Sequence, residues 1–163
     1  MPEAVISDTS PLQYLHQLGQ LHLLPHFYHQ VLVPPTVERE LAVGRSLGVE
    51  LPVPATLRWL HVRAPVPAQT LRLATTLGLG EREVLALALE IPGSLVLMDD
   101  GKGRRVGLLL SLTMTGTVGV LARATREGLM PQLAPMLDRL AGLGFRLSVE
   151  AKEAALRLVG EGR

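Results

Sequence analysis

Short apolar runs alternate along the chain with stretches of helical periodicity. Val5-Ile6 opens the first run, which ends in Ser7-Asp8 and is followed by two hydroxyl residues, a proline and a helical pattern. That order predicts a strand delivering one carboxylate to a loop at its C-terminal end. Thr9 or Ser10 would cap the next helix, with Pro11 in its first turn. Leu12, Leu15, Leu18 and Leu21 mark this helix, and Leu24, Phe27 and Tyr28 continue its apolar face past Gly19. Residues 30–33 read as a second strand. Pro34-Pro35 stops it and opens a helix carrying Val37, Glu38, Glu40 and Leu41. Residues 44–67 are rich in proline and glycine and read as a loop or lid, with one strand inside 57–62.

The second half repeats the alternation. Residues 71–77 read as a short helical piece. From Leu79 the clearest helix begins, with Val84, Leu85, Ala88 and Leu89 as its stripe and Pro92-Gly93 as its stop. Residues 94–98 are a nearly unbroken apolar run bounded by turn signals, the pattern of a strand covered on both faces, and they lead into Asp99-Asp100. A helix is expected over 102–110, an edge strand over 112–115, and a helix from Gly116-Thr117 to Arg126. Two further helical stretches lie near 131–141 and 150–159. The alternation predicts an α/β chain with a parallel sheet and helices on both faces.

Composition narrows the chemistry. The 163 residues are 47% hydrophobic and 19% charged, enough for one folded domain and too apolar for disorder. Aromatics make up only 3%, so the core must be built from Leu, Val and Ala. With no cysteine, disulfides, thiolate metal sites and cysteine nucleophiles are excluded, and a reducing cytoplasm fits. No basic segment leading into an apolar one marks a signal peptide, and no apolar run is long enough to span a bilayer, so no membrane role is expected. A net charge of +1 provides no global attraction to nucleic acid, which leaves a local basic patch as the way to bind it.

Acids at strand ends are the candidate chemistry. Asp8 and Asp99-Asp100 each follow an apolar strand, and the strand ends of a parallel sheet share one edge. At 100° per residue, Glu81 lies in phase with Val84, Leu85 and Ala88 and faces the sheet, whereas Glu83 faces solvent. The competing reading of Glu81 is a helix N-terminal acid favoured by the dipole. Glu38 and Glu40 flank the Val37/Leu41 stripe on opposite sides, and periodicity does not choose between them. His22, His26 and His29 stand at helical spacing that could ligate zinc. With no acidic partner nearby in the sequence, they read as a solvated face.

The motifs VISDTSPL (5–12), VPPTVEREL (33–41), LGLGEREVLALALE (77–90) and LVLMDDGKGRRVG (95–107) resemble, in order, those of the PIN-domain family. LTMTGTVGVLARATREGLMP (112–131) is similar to an uncharacterised bacterial and archaeal PIN-like subgroup. The resemblance implies a three-layer α/β/α sandwich around a four- to five-stranded parallel sheet. It implies a nuclease domain over residues 1–145 and a helical extension over 146–163 packed on it. The implied activity is a divalent-metal-dependent endoribonuclease, the toxin of a toxin–antitoxin pair, with RNA as substrate, an antitoxin as partner and a homodimer as assembly.

Carried over by position, the acidic site is Asp8, Glu40, Glu81 and Asp99 or Asp100, holding Mg²⁺ or Mn²⁺. Asp8 and Asp99/Asp100 would be the main ligands, and Glu40 and Glu81 would hold water or a second ion. Thr9, Ser10 and Thr117 line the site in this reading. Lys102, Arg104, Arg105, Arg123 and Arg126 are candidates for the RNA backbone. Gly101-Lys102-Gly103 departs from the family's pattern as a looser helix start. The rival readings are a non-catalytic PIN-like domain that binds RNA or protein, and an aspartyl-phosphate enzyme. The latter needs a second aspartate where Ser10 stands.

Overall fold

A computed structural model, describing residues 1–67 and 76–162, contains five short strands paired in parallel in one sheet. They are β1 (Val5–Ser7), β2 (Val31–Val33), β3 (Leu60–Val62), β4 (Leu95–Leu97) and β5 (Thr113–Thr115), in the order β3-β2-β1-β4-β5. The described residues form eight α-helices: α1 (Thr9–Gln17), α2 (Leu23–Tyr28), α3 (Pro35–Ser46), α4 (Leu79–Glu90), α5 (Gly101–Leu109), α6 (Thr117–Arg126), α7 (Ala134–Gly142) and α8 (Val149–Leu158). Helices α4 and α5 pack together on one side of the sheet, and α1, α2, α6 and α8 pack as a group on the other. Helix α3 meets both α1 and α4. This is the expected three-layer α/β/α sandwich. Among the described residues no helix is long and apolar enough to cross a membrane.

Strand position follows from residue type. β1 is buried throughout, and most of β2 and β4 is buried too, as β-branched and leucine-rich inner strands of a doubly covered sheet should be. β5, with two threonines and no fully buried residue, is an edge, as is β3 with His61 and Val62 exposed. Ile6, Leu12, Leu85, Leu97 and Leu121 are inaccessible to solvent and form the centre of the core.

Three local expectations are corrected. The helical pattern beginning at Leu12 does not run unbroken to Tyr28. Gly19, at φ +71°, turns the chain after α1, and α2 starts afresh at Leu23. Glu83 is not a simple solvent-facing acid: its carboxylate accepts the Thr36 N–H at 3.2 Å and so caps the start of α3 from α4. Neither Thr9 nor Ser10 caps α1; the cap position belongs to Asp8, and both hydroxyls turn to other acids. His22, His26 and His29 are all exposed, in keeping with a solvated face. The helical piece expected over 71–77 falls mainly outside the described residues.

The C-terminal stretch lies on the same core. Ala155 of α8 is buried beside α6, and Phe145 meets Tyr14 of α1 edge-on at 5.1 Å. Glu161, beyond α8, accepts the Leu133 and Ala134 N–H groups at 2.6 and 3.3 Å and so secures the start of α7.

The Glu83 cap sets a measurable contrast. Glu83→Ala, which removes the acceptor, is expected to lower the urea-unfolding free energy by about 1 kcal/mol. The exposed Glu38→Ala should stay within about 0.5 kcal/mol of the parent. Equal effects would show that the α4–α3 bond carries no stability.

Candidate functional site

Strand order decides where the acids go. β1 connects to β2 and β3 on one side, and the chain then crosses to β4 and β5 on the other, so the order reverses between β1 and β4. Ligand crevices form outside the carboxyl ends of strands at such a reversal. Ser7 pairs with Leu97 and Leu97 with Thr115. Asp8, one residue past Ser7, and Asp99, two past Leu97, therefore emerge on either side of the reversal, with Thr117, two past Thr115, alongside at the start of α6. The Asp8 N–H extends the ladder by donating to the Leu97 carbonyl at 2.9 Å.

Asp8, Glu40, Glu81, Asp99 and Asp100 all line one cleft of about 530 Å³ at this edge. Tyr14, Phe145 and Arg146 form part of its rim. Asp99 is the most firmly held acid. It accepts the Ser10 hydroxyl, the Thr117 N–H and the Thr117 hydroxyl, each at 2.7 Å. Asp100 does something else: it caps α5 by accepting the Gly103 N–H at 2.8 Å, and it is exposed. The two neighbours, alike in sequence, thus take different jobs on the same wall. Thr9 donates its hydroxyl to Glu40, which resolves the tie with Glu38: Glu40 lines the cleft and Glu38 does not.

Asp8 is 7% exposed. Burial pushes its pKa up from 3.8 to about 7; the Thr9 backbone N–H pulls the other way, and the charges of Glu81, Glu40 and Asp99 push it further up. The pKa of Glu81 is raised too, first by burial, then by Asp100 and Glu40, and is partly lowered by Lys102. Among the described residues none of the five acids has a cation within 4.0 Å; the ion pairs there are Arg123–Glu127 and Lys152–Asp138.

Not every expected site residue reaches the cleft. Lys102, Arg104 and Arg105 do not line it, and Arg104 instead donates to the Met98 carbonyl at 3.3 Å and faces a neighbouring groove. Arg123 is occupied elsewhere, 4.2 Å above the Phe27 ring and paired with Glu127 at 3.4 Å. Arg126 is exposed away from the cleft. Gly101-Lys102-Gly103 is not a loose helix start. A Cβ at Gly103 would lie 2.3 Å from Met98 Sδ, so the glycine lets α5 sit flush against the strand end. Gly116 is similar: a Cβ there would lie 2.6 Å from Asp99 Oδ1, which its three donors hold in place.

Tyr14, Phe145 and Arg146 are the rim residues that sequence reasoning passed over. Tyr14 stands one helical turn after Ser10, a spacing that places both on one face. Phe145 and Arg146 carry no local signal; the chain brings them in from a distant loop between α7 and α8.

A family model described as a PIN domain matches residues 4–161. The chain belongs to the PIN-domain family. PIN domains are typically nucleases and generally use divalent metals. No curated protein matches the chain.

The donor set suits such an ion. It is oxygen-only, as suits Mg²⁺ and Mn²⁺, and it concentrates negative charge with no cation within 4.0 Å of any of the five acids among the described residues. Among the described residues no three acids converge as a ready-made cage; their oxygens engage hydroxyls and N–H groups. Mg²⁺ sites with one or two protein carboxylates and several waters need no such cage.

The sign of the Asp8 shift makes a testable statement about stability in chelator. The folded pKa is about 7 against 3.8 for the ordinary group, so between these values the native state binds the extra proton and stability falls as pH rises. The loss is on the order of 4 kcal/mol at 1.36 kcal/mol per unit. Thermal melts of Asp8→Asn and parent should coincide near pH 4, and the variant should melt several degrees higher at pH 8. Parallel curves over the whole range would contradict the buried-carboxyl picture.

Proposed function

We propose that this PIN-domain protein is a divalent-metal-dependent endoribonuclease. One observation carries the proposal: acids from the ends of β1 and β4 and from α3 and α4 share one cleft at the strand reversal, and among the described residues none of them has a cation within 4.0 Å. In this reading Asp8 and Asp99 are the principal ligands of Mg²⁺ or Mn²⁺, with Asp100, Glu40 and Glu81 completing the acidic wall. When bound, the ion relieves charge on the phosphodiester and makes water a competent nucleophile at neutral pH.

The protein's own part is positioning. Ser10 and Thr117 fix both oxygens of Asp99, leaving the remaining lone pair, on Oδ1, directed by geometry rather than free to rotate. Thr9 steers Glu40 in the same way. Asp8 gives up its proton on loading, so binding strengthens with pH up to about the pKa of 7. The buried strand ends supply a rigid support for these groups. The toxin role, with an antitoxin that obstructs this cleft, extends the same reading; co-expression with the product of an adjacent small reading frame should then suppress cleavage.

The assay is cleavage of RNA with and without Mn²⁺. Asp8→Asn and Asp99→Asn should each reduce the rate by more than about 100-fold, and Thr117→Val, which removes one hydroxyl bond to Asp99, by about 10–100-fold. All three variants should keep the parent's circular dichroism spectrum. Metal-independent cleavage would overturn the proposal. Absence of cleavage on every RNA, with the fold intact, would favour a non-catalytic domain that binds RNA or protein.

A further inference from the structure

The substrate of the proposed reaction brings a negative charge to a cleft walled by Asp8, Glu40, Glu81, Asp99 and Asp100. With all five ionised, one divalent ion leaves three negative charges uncompensated and two ions leave one. Metal alone therefore does not make the space attractive to an anion. Among the described residues one cationic side chain stands on the cleft wall, that of Arg146. Lys102 is near enough to Glu81 to favour its charge but does not line the wall, and Arg104 is turned to the Met98 carbonyl.

Arg146 is free at its tip and fixed at its base. It is exposed, and among the described residues no carboxylate lies within 4.0 Å of it. The loop that carries it is held on both sides. Phe145 meets Tyr14 edge-on at 5.1 Å and donates its N–H to the Leu140 carbonyl at 3.3 Å. Ser148 starts α8 by accepting the Ala151 N–H at 3.1 Å. A guanidinium presented from a pinned loop among five acids, yet paired with none of them, is left to meet an anion that enters the cleft.

We propose that Arg146 is a catalytic residue, donating hydrogen bonds to the non-bridging oxygens of the phosphodiester under attack. The inference rests on the nuclease reading of the cleft and adds the group that answers the substrate's own charge. Paired N–H groups of a planar guanidinium match two phosphate oxygens, and the charge persists at every working pH. In the hydrolysis a water oxygen bonds to phosphorus. The ester oxygen leaves with the bonding pair and ends with the proton that the water gives up. Arg146 stays protonated throughout and contributes charge, which counts most as the non-bridging oxygens gain negative charge, so it acts on kcat as well as on binding.

Two measurements test Arg146 separately from the nuclease reading. Calorimetry follows Mg²⁺ alone and then inorganic phosphate added to the Mg²⁺-loaded protein. Arg146→Ala should bind Mg²⁺ no more weakly than the parent, since a repelling charge is gone, but should bind phosphate at least about 10-fold more weakly. Arg146→Lys should recover part of the loss. Arg139→Ala, an exposed position on α7 off the cleft wall, should match the parent in both titrations. In RNA cleavage with Mn²⁺, Arg146→Ala should lower kcat by about 100-fold at saturating RNA, with the circular dichroism spectrum unchanged.

Phosphate that fails to bind the Mg²⁺-loaded parent, or that binds Arg146→Ala equally well, would overturn the assignment. So would a variant whose loss lies in KM alone, because Arg146 would then touch some other part of the RNA. Cleavage by Arg146→Ala at the parental kcat removes the role of Arg146 and leaves the nuclease reading standing. Arg146-dependent phosphate binding with no cleavage of any RNA does the reverse: the nuclease reading falls and the contact between Arg146 and phosphate is upheld.

Discussion

Like charges gathered at one strand reversal are the constraint that the rest of this structure answers. Carboxylates that share a small space repel, and the repulsion is worst where water is excluded. The fold distributes the burden unevenly. Glu40 has the Thr9 hydroxyl, Asp100 has the first turn of α5, and Asp99 has three donors. Asp8 is the one left deep in the protein with little besides the Thr9 backbone to favour its charge, and it is the one whose pKa moves to about 7.

The supports of this cluster are backbone features rather than long side chains. Each strand is only three residues, so the acids leave the sheet almost at once, yet the parallel ladder extends through the Asp8 N–H and fixes their level. Gly103 and Gly116 then let α5 and α6 start close against Met98 and Asp99. A side chain at Gly116 would press on Asp99 Oδ1 and the Met98 carbonyl and loosen the carboxylate that the start of α6 steadies. The site thus depends on residues whose contribution is the absence of atoms.

The C-terminal stretch ties a second layer of organisation to the first. Glu161 secures α7, α8 lies on α6, and α6 begins at Thr117, which holds Asp99. The loop joining α7 to α8 brings Phe145 against Tyr14 at the mouth of the acidic cleft. The acidic centre and the neighbouring groove are therefore built from one continuous packing arrangement, with Phe145 and Arg146 common to both walls.

Much of the layout was legible from residue order. Apolar runs of Val, Ile and Leu ending in Asp8 and Asp99 announced inner parallel strands with acids at one edge, because burial on both faces demands such runs. The stripe of α4 announced that Glu81 faces inward, and it is half-buried in the cleft as the helical period requires. Periodicity has no means of ranking residues that lie on equivalent arcs or side by side. Glu40 over Glu38, and the separate tasks of Asp99 and Asp100, were decided by hydroxyls and helix starts that meet them only after folding. The same holds for Glu83, whose partner Thr36 lies 47 residues away, and for Arg123, drawn onto Phe27. Local sequence set the types and positions of the strands and helices through burial and backbone preference. Only the tertiary structure chose the partners, because hydrogen bonds and charge interactions act across space and take no account of separation along the chain.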